Sequence, residues 1–306
     1  MRNTHGEKYS QIFIDVTSKR VWVVRLKKKK ESDAAIRKVL ADARARSRNK
    51  IRILRTDGDG IFGRSESFKK LQEDLGFIHQ RPAPYDHEQN ALIDRECRTL
   101  LESVSTSLGQ SGCPPSFWGD AVSHYIYTRN NIPKHETEKN GEKIFISPNN
   151  KLEGVVNPFS LKHLVAFGTQ CTCYIPPPRR SGKKQPGQVK SMEGVILGYV
   201  DDMNAYKVWD LKEKKIREVS FYFTVVSEGF FPFKNKKNWP EEEEKEPTSF
   251  FPTFETFLRG EEWKLFRFSP EEEKDALRHQ GILEVPPRTL THTPSITHTS
   301  PRRKES

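Results

Sequence analysis

Cysteine, long apolar runs and hydrophobic residues in general are what this sequence has least of. Four cysteines, Cys97, Cys113, Cys171 and Cys173, stand among 306 residues. None forms a Cys-x-x-Cys pair and no histidine spacing completes a tetrahedral set, which argues against a zinc site. Cys171 and Cys173 are two apart, so on a strand they share one face, where packing is the expected role. No apolar run approaches the ~20 residues of a membrane-spanning helix, and the amino end carries no secretory signal. An intracellular, reducing setting with no membrane partner is expected. Hydrophobic residues make up 34% of the chain, below the usual globular share, so a real core diluted by polar segments is expected. The length suits one large or two small domains.

What the sequence has in excess is positive charge, and the excess is uneven. The formal net charge is +11, yet residues 241–306 hold 10 Lys and Arg against 14 Asp and Glu. Residues 1–240 therefore carry 42 basic and 27 acidic groups, a surplus of 15. A basic body of that size favours a polyanion, and a nucleic-acid backbone is the obvious one. The run Lys27, Lys28, Lys29, Lys30 reads as a localisation signal, a solvated strand end or a DNA-facing edge. Arg179, Arg180, Lys183 and Lys184 form a basic loop that suits phosphate contact and surface solvation equally.

Residues Tyr9–Asp15 and Arg20–Leu26 alternate and are rich in β-branched types, with Thr17-Ser18-Lys19 as the turn of a hairpin. Ser32 is placed to cap a helix over 33–47. Strands are expected at 51–56 and 77–80, and a short helix over 65–75 ends at Gly76. A long helix runs from His87 to about Leu108, and another from Ser116 to Asn130. In the second, Phe117, Trp118, Ala121, Val122, Tyr125 and Ile126 make a broad apolar face better suited to core than to stacking bases. Residues 132–163 read as a mixed-charge linker with few apolar anchors. From 164 to 228 the pattern turns β, with short strands at 171–175, 194–199, 206–210 and 216–223. Beyond 228 lies an acidic and aromatic tail, Pro/Thr/Ser-rich and disordered from 286 onward.

The stretch from Arg55 to Glu102 carries the chemistry. A strand delivers Asp57 at its carboxyl end, and a later helix carries Asp94. That helix has an apolar stripe at Ile93, Cys97, Leu100, Leu101, Val104 and Leu108, with Asn90, Asp94 and Arg98 four apart along its polar edge. Two carboxylates meeting from a strand end and a helix face suit a hard cation such as magnesium. The other reading is an ordinary turn, since Asp57-Gly58-Asp59-Gly60 has turn composition.

This block resembles the integrase core of copia-type LTR retrotransposons. The resemblance is carried by Arg55-Thr56-Asp57-Gly58-Asp59-Gly60-Ile61-Phe62, by Ala83-Pro84-Tyr85, and by Gln89-Asn90 with Arg95. It continues through Gly112-Cys113-Pro114-Pro115-Ser116-Phe117-Trp118-Gly119-Asp120-Ala121, Arg129-Asn130, Pro133, Phe167-Gly168 and Tyr174. Gly198-Tyr199 and Ala205-Tyr206-Lys207-Val208-Trp209-Asp210 complete it, over about residues 9 to 226. The resemblance implies an α/β, RNase H-like core over 1–131 and a small all-β SH3-like barrel over 164–228. It implies DNA as partner, room for a homo-oligomer, no small-molecule substrate, and the nucleus as location. It also implies DNA integration by metal-dependent phosphoryl transfer, with Mg²⁺ or Mn²⁺ held by Asp57 and Asp94 and the site supported by Asn90 and Arg95.

The departures from the family weigh as much as the matches. The third family carboxylate, a Glu before Arg, is Asp94 here, and 36 residues separate it from Asp57, one more than usual. The first carboxylate, on a strand upstream of Tyr9, has no counterpart in Met1–Lys8. Asp15 matches the family's next strand and turn, where an Asp is common and is not the ligand. The chain is thus expected to be an amino-terminally truncated core with an incomplete catalytic set. Loss of that strand, central in the family fold, predicts either a compromised sheet or one repaired by another segment. Three outcomes follow: an integrase core with degenerate chemistry, an inactive DNA-binding remnant, or a protein-interaction module that docks through its acidic, aromatic tail.

Overall fold

A computed structural model describes residues 6–47, 51–56, 66–80, 91–139, 142–155, 161–176, 190–201, 203–240 and 264–267. Strands β1 (Tyr9–Asp15) and β2 (Val21–Leu26) form the expected antiparallel hairpin, in register from Tyr9↔Leu26 to Ile14↔Val21. Its turn is closed by the Asp15 carboxylate, which accepts from the Ser18 amide at 2.8 Å, from the Ser18 hydroxyl and from the Thr17 amide. Helix α1 (Ser32–Arg46) begins one residue early: Ser32 is helical, and Glu31 holds the cap position. The Ser32 hydroxyl instead accepts from Gln11 Nε2 at 2.9 Å. The approach to the helix is fixed by Glu31, whose carboxylate takes the Lys27 amide at 2.9 Å.

Strand β3 (Ile53–Thr56), helix α2 (Glu66–Leu75) and strand β4 (Ile78–Gln80) follow, with β3 and β4 parallel. Gly76 ends α2 in the left-handed region, as its position after the last apolar residue predicts. Helices α3 (Ala91–Ser111) and α4 (Trp118–Asn131) complete this part. Because β1 is buried on both faces, its side chains divide between two helical layers. Phe13 packs with Ile36, Val39 and Leu40 of α1 and Phe68 of α2, whereas Ile12 and Ile14 pack with Leu100 of α3 and Val122 of α4.

The sheet between those layers is complete, but not from neighbouring sequence. Its order is β2-β1-β12-β3-β4, where β12 (Lys264–Arg267) lies parallel to β1 and antiparallel to β3. The middle place is taken by a segment from beyond the β-rich region.

The expected linker is partly built structure. It holds a hairpin of β5 (His135–Lys139) and β6 (Glu142–Ile146) and a short helix α5 (Pro148–Glu153). Ser147 caps α5 by accepting from the Asn150 amide at 3.2 Å, Pro148 takes its first turn, and Gly154 leaves it with φ +66°. Leu152 is buried with Phe13 and Ile36. The helix signals were present, but a mixed-charge composition masked them.

Strands β7 (Gln170–Tyr174), β8 (Ser191–Tyr199), β9 (Ala205–Asp210), β10 (Lys215–Ser220) and β11 (Thr224–Ser227) form a second, wholly antiparallel sheet, ordered β10-β9-β8-β7-β11. The strand expected at 216–223 is cut short, and a further strand that was not expected, β11, follows it. Ser220 ends β10 and starts a 3₁₀ turn over Phe221–Phe223, which lets β11 cross to the far edge beside β7. Cys171 and Cys173 face one way as expected, fully buried with Sγ atoms 3.7 Å apart.

The tail expected from 229 also begins later. Phe233 is buried 5.5 Å from the Phe117 ring, and Trp239 Nε1 donates to Gly112 O at 3.1 Å and to Phe233 O at 2.9 Å. Gly112 makes that contact possible: its φ is +70°, and a Cβ there would sit 2.8 Å from Lys234 Cα. Two aromatics in a charged neighbourhood gave no periodic signal, yet they anchor the chain. Residues 286–306 lie outside the described residues.

Candidate nucleic-acid and metal site

Asp94 stands in the first turn of α3, exposed beside Arg95, with Arg98 exposed one turn on. The stripe behind it largely behaves as its spacing predicts: Ile93, Cys97, Leu100, Val104 and Leu108 are buried, and Leu101 is half-buried. Asp57 and Asn90, with which Asp94 was paired, lie outside the described residues, as do Arg179, Arg180, Lys183 and Lys184. Lys27, Lys28 and Lys30 are exposed where β2 leads into α1, and Lys29 begins the 3₁₀ turn between them.

Among the described residues no group of three or more His, Cys, Asp or Glu side chains is arranged to hold a metal ion. Asp94 alone does not make a magnesium site, and no step through a metal is derived from it. Asp15, the nearest candidate for an extra carboxylate, is 1% exposed and committed to its own turn. Burial pushes its carboxyl above the ordinary range, against the opposing pull of the Ser18 and Thr17 donors and Lys19.

Several residues that carried the resemblance hold the scaffold. Arg129 of α4 donates Nη2 to Glu96 Oε2 of α3 at 2.6 Å and Nη1 to the Lys19 carbonyl at 2.6 Å. Its Nε pairs with the other Glu96 oxygen, which Tyr125 also reaches at 3.3 Å. Asn130 grips Val21 from both sides, accepting its amide at 3.0 Å and donating to its carbonyl at 2.7 Å. Together these bonds clamp α4 to α3 and to the β1–β2 turn. Glu96 went unnoticed in the sequence. It falls on the buried side of the stripe next to Cys97, an unusual place for a carboxylate that signals a paired cation elsewhere.

A second polar knot joins the hairpin to α1 and α5. Trp22 Nε1 donates to Asp42 Oδ2 at 2.7 Å, and Arg20 bonds both Asp42 and Asn149. Burial would raise the Asp42 carboxyl, but the bonds from Trp22 and Arg46 and the charges of Arg20 and Arg46 hold it below the usual range. Arg46 also reaches Glu153 at 3.4 Å.

The apolar face of α4 is core on one side and a dock for the second sheet on the other. Phe117, Ala121 and Val122 are buried, while Trp118, Tyr125 and Ile126 pack against them half-buried. On the far side Tyr127 stacks on Tyr199 of β8, centroids 4.1 Å apart and planes 14° apart. His124 lies against Phe167 and Tyr199, its Nε2 2.9 Å from Val165 O. Burial pulls its pKa down from 6.5 to about 4, so it is a neutral packing residue at pH 7. His163 stacks on Phe221 at 5.0 Å. These rings are consumed by packing, whereas Tyr222, Val225 and Phe230 stand 87%, 70% and 66% exposed.

A helix-layered α/β sheet joined to a short-stranded antiparallel sheet is the architecture of a two-part module, and the second part has a family. Residues 170–240 match the retroviral polymerase SH3-like domain, whose span takes in Phe233 and Trp239 and so extends past the boundary expected at 228. Over 220 residues, 71% of this chain, the sequence is 28% identical to the retrovirus-related Pol polyprotein from transposon TNT 1-94 of Nicotiana tabacum. Over 237 residues, 74% of this chain, it is 27% identical to the corresponding polyprotein from transposon RE1 of Arabidopsis thaliana. The chain is a relative of retrotransposon Pol polyproteins. It spans 16% and 14% of the length of those two relatives. A solved simian T-cell lymphotropic virus intasome in complex with PP2A regulatory subunit B56 gamma matches with a TM-score of 0.38 at 13% identity. The match covers 74% of this chain and 81% of that one, a likeness too slight to argue from.

Proposed function

We propose that the chain is a nuclear, DNA-binding, integrase-type module of a retrotransposon Pol polyprotein, with an RNase H-like core ahead of its SH3-like domain, in which strand-transfer chemistry is degenerate. The observation that carries the DNA-binding part is charge: residues 1–240, which hold nearly all the described structure, have a surplus of 15 positive groups. The Pol relatives and the sheet order β2-β1-β12-β3-β4 with helices on both faces support the RNase H-like reading. Lys27, Lys28 and Lys30, exposed together where β2 leads into α1, are proposed phosphate contacts, as is Arg98, exposed on α3.

In this reading Asp57 and Asp94 are what remains of a Mg²⁺ or Mn²⁺ set, with Asn90 and Arg95 in support. Degeneracy rests on Asp94 standing where the resembling family has Glu, one methylene shorter, and on Asp15 being bound into its own turn. A misplacement of about an ångström can cost about 10²-fold in rate.

The test has two arms. Affinity for a short DNA duplex is measured against salt; a steep loss is expected, with a log–log slope of about −0.9 per phosphate contacted, and no binding at low salt sinks the proposal. Strand transfer is assayed with Mg²⁺ and Mn²⁺ beside Asp57→Asn. No activity in the folded chain is expected. Activity that Asp57→Asn abolishes would overturn the degeneracy.

A further inference from the structure

One face of β7 gathers sulfur. Cys171 and Cys173, both fully buried, hold their Sγ atoms 3.7 Å apart. Met192 of β8 stands directly across the ladder from Cys173, which puts its side chain on the same side of the sheet. It packs, half-buried, against the cluster that contains both cysteines. On the other flank Thr224 of β11 pairs with Cys173, its Oγ1 3.8 Å from the sulfur. Ile196, Tyr206 and Val208 wall the rest. Packing alone asks nothing of sulfur here, and a β-branched hydrocarbon suits a strand better.

The spacing of the two thiols suits a shared ion better than a bond between them. A disulfide needs its sulfurs about 2.05 Å apart. Two sulfurs on one metal ion, each at about 2.3 Å, stand roughly 3.8 Å apart at a tetrahedral angle and roughly 4.0 Å at a trigonal one. The observed 3.7 Å lies within a few tenths of an ångström of both. Two thiols with a thioether form a soft donor set, which selects a soft ion such as Cu(I) over hard cations. Zinc asks for further thiolate, imidazole or carboxylate ligands, and among the described residues no third group of that kind joins the two cysteines. The hydrogen bond within the pair pulls the Cys173 thiol below its ordinary range and pushes Cys171 above it, so one thiolate forms ahead of the other. A monovalent ion neutralises that thiolate, and a buried site tolerates a neutral pair better than a net charge.

The way in is lined by sulfur as well. A cavity of about 440 Å³ has Met192 in its wall together with Met203, which is 56% exposed. One thioether thus stands in solvent and a second stands beside the cysteines. We propose that Cys171, Cys173 and Met192 form a three-sulfur site for Cu(I), reached past Met203, with the Cys173 proton leaving to solvent as the ion binds. The inference stands apart from the DNA-binding reading, because it rests on the second sheet alone.

The test uses the reduced full chain in the absence of oxygen, with Cu(I) offered as its bicinchoninate complex, whose colour fades as copper is withdrawn. Transfer of one equivalent is expected, and X-ray absorption at the copper edge should show sulfur neighbours at about 2.3 Å and no nitrogen or oxygen shell. Replacing both cysteines, Cys171→Ala with Cys173→Ala, should abolish the transfer, whereas Cys97→Ala with Cys113→Ala should leave it intact. Met192→Leu keeps the side-chain volume, so it should weaken Cu(I) binding at least tenfold without moving the urea midpoint. No transfer, transfer that survives the loss of Cys171 and Cys173, a Met192→Leu chain that binds copper as tightly as the unaltered one, or bound copper displaced by equimolar Zn(II) each overturns the proposal. If the cysteine variants fail to fold, Met192→Leu and the sulfur shell of the unaltered chain still decide.

Discussion

The two sheets solve the same problem in opposite ways. The second is built from strands within 58 residues of one another, Gln170 to Ser227, nearly all of them joined as hairpins or short crossings. The first takes its middle strand from Lys264–Arg267, some two hundred positions beyond its other four. Local pairing closes short loops and forms readily, whereas a distant strand bears the entropy of a long closure. The second sheet should therefore hold by itself, while the first depends on clamps that fix its helices and hairpin whether or not the middle strand is seated.

The Glu96–Arg129 clamp is the place to break that difference with the largest effect. Both side chains are about 90% buried, so Arg129→Ala leaves a buried carboxylate uncompensated and should cost about 3–5 kcal/mol. Urea unfolding followed by exchange protection should show the loss in β1, β2 and α3, with β8 and β9 unchanged. Equal loss across both sheets would mean that they unfold as one unit.

Acid sharpens the same contrast at the junction. His124 has a folded pKa of about 4 against 6.5 unfolded, so below pH 6.5 the unfolded state binds the extra proton. Stability should fall by about 1.4 kcal/mol per pH unit between 6.5 and about 4, and level off below. His124→Gln should flatten that part of the profile. A slope that survives the substitution belongs to another group.

Gly194→Ala is the matching cut in the second sheet. Its Cβ would sit 2.3 Å from Val208 Cγ1 and 2.8 Å from Trp209 O, an overpacking expected to cost about 1–3 kcal/mol. That loss should appear in β8 and β9 and spare the β1–β2 hairpin. The smallest effect is expected at Arg37–Asp74, a 3.3 Å pair whose side chains are 54% and 43% exposed. Asp74→Ala should shift the urea midpoint by the equivalent of less than about 1 kcal/mol, and less still in high salt.

Much of the fold was legible because it is written locally. Alternation in Tyr9–Asp15 and the turn at Thr17-Ser18-Lys19 specify the hairpin, and the stripe from Ile93 to Leu108 specifies the buried side of α3. What was missed lay where composition hid a local signal or where no local signal existed. Ser147-Pro148 with Gly154 is a helix signature that mixed charge obscured, and Phe233 and Trp239 are single anchors without period. For the candidate site, the spacing gave the exposure of Asp94 and Arg98 on one helix edge. The use of Arg129, Asn130 and Glu96 as clamps was invisible, because a motif match names residues without saying what they touch.

By itself, then, the sequence determined the β1–β2 hairpin, the main helices, the basic surplus and the kinship with retrotransposon Pol polyproteins, since period, charge and motif order are properties of the chain alone. Only the tertiary structure decided which segment stands between β1 and β3, because a four-residue strand with a cation at each end carries no local mark of a central place. It also decided that Glu96 belongs to an ion pair, a role that depends on a donor reaching the carboxylate across space, Arg129 from another helix.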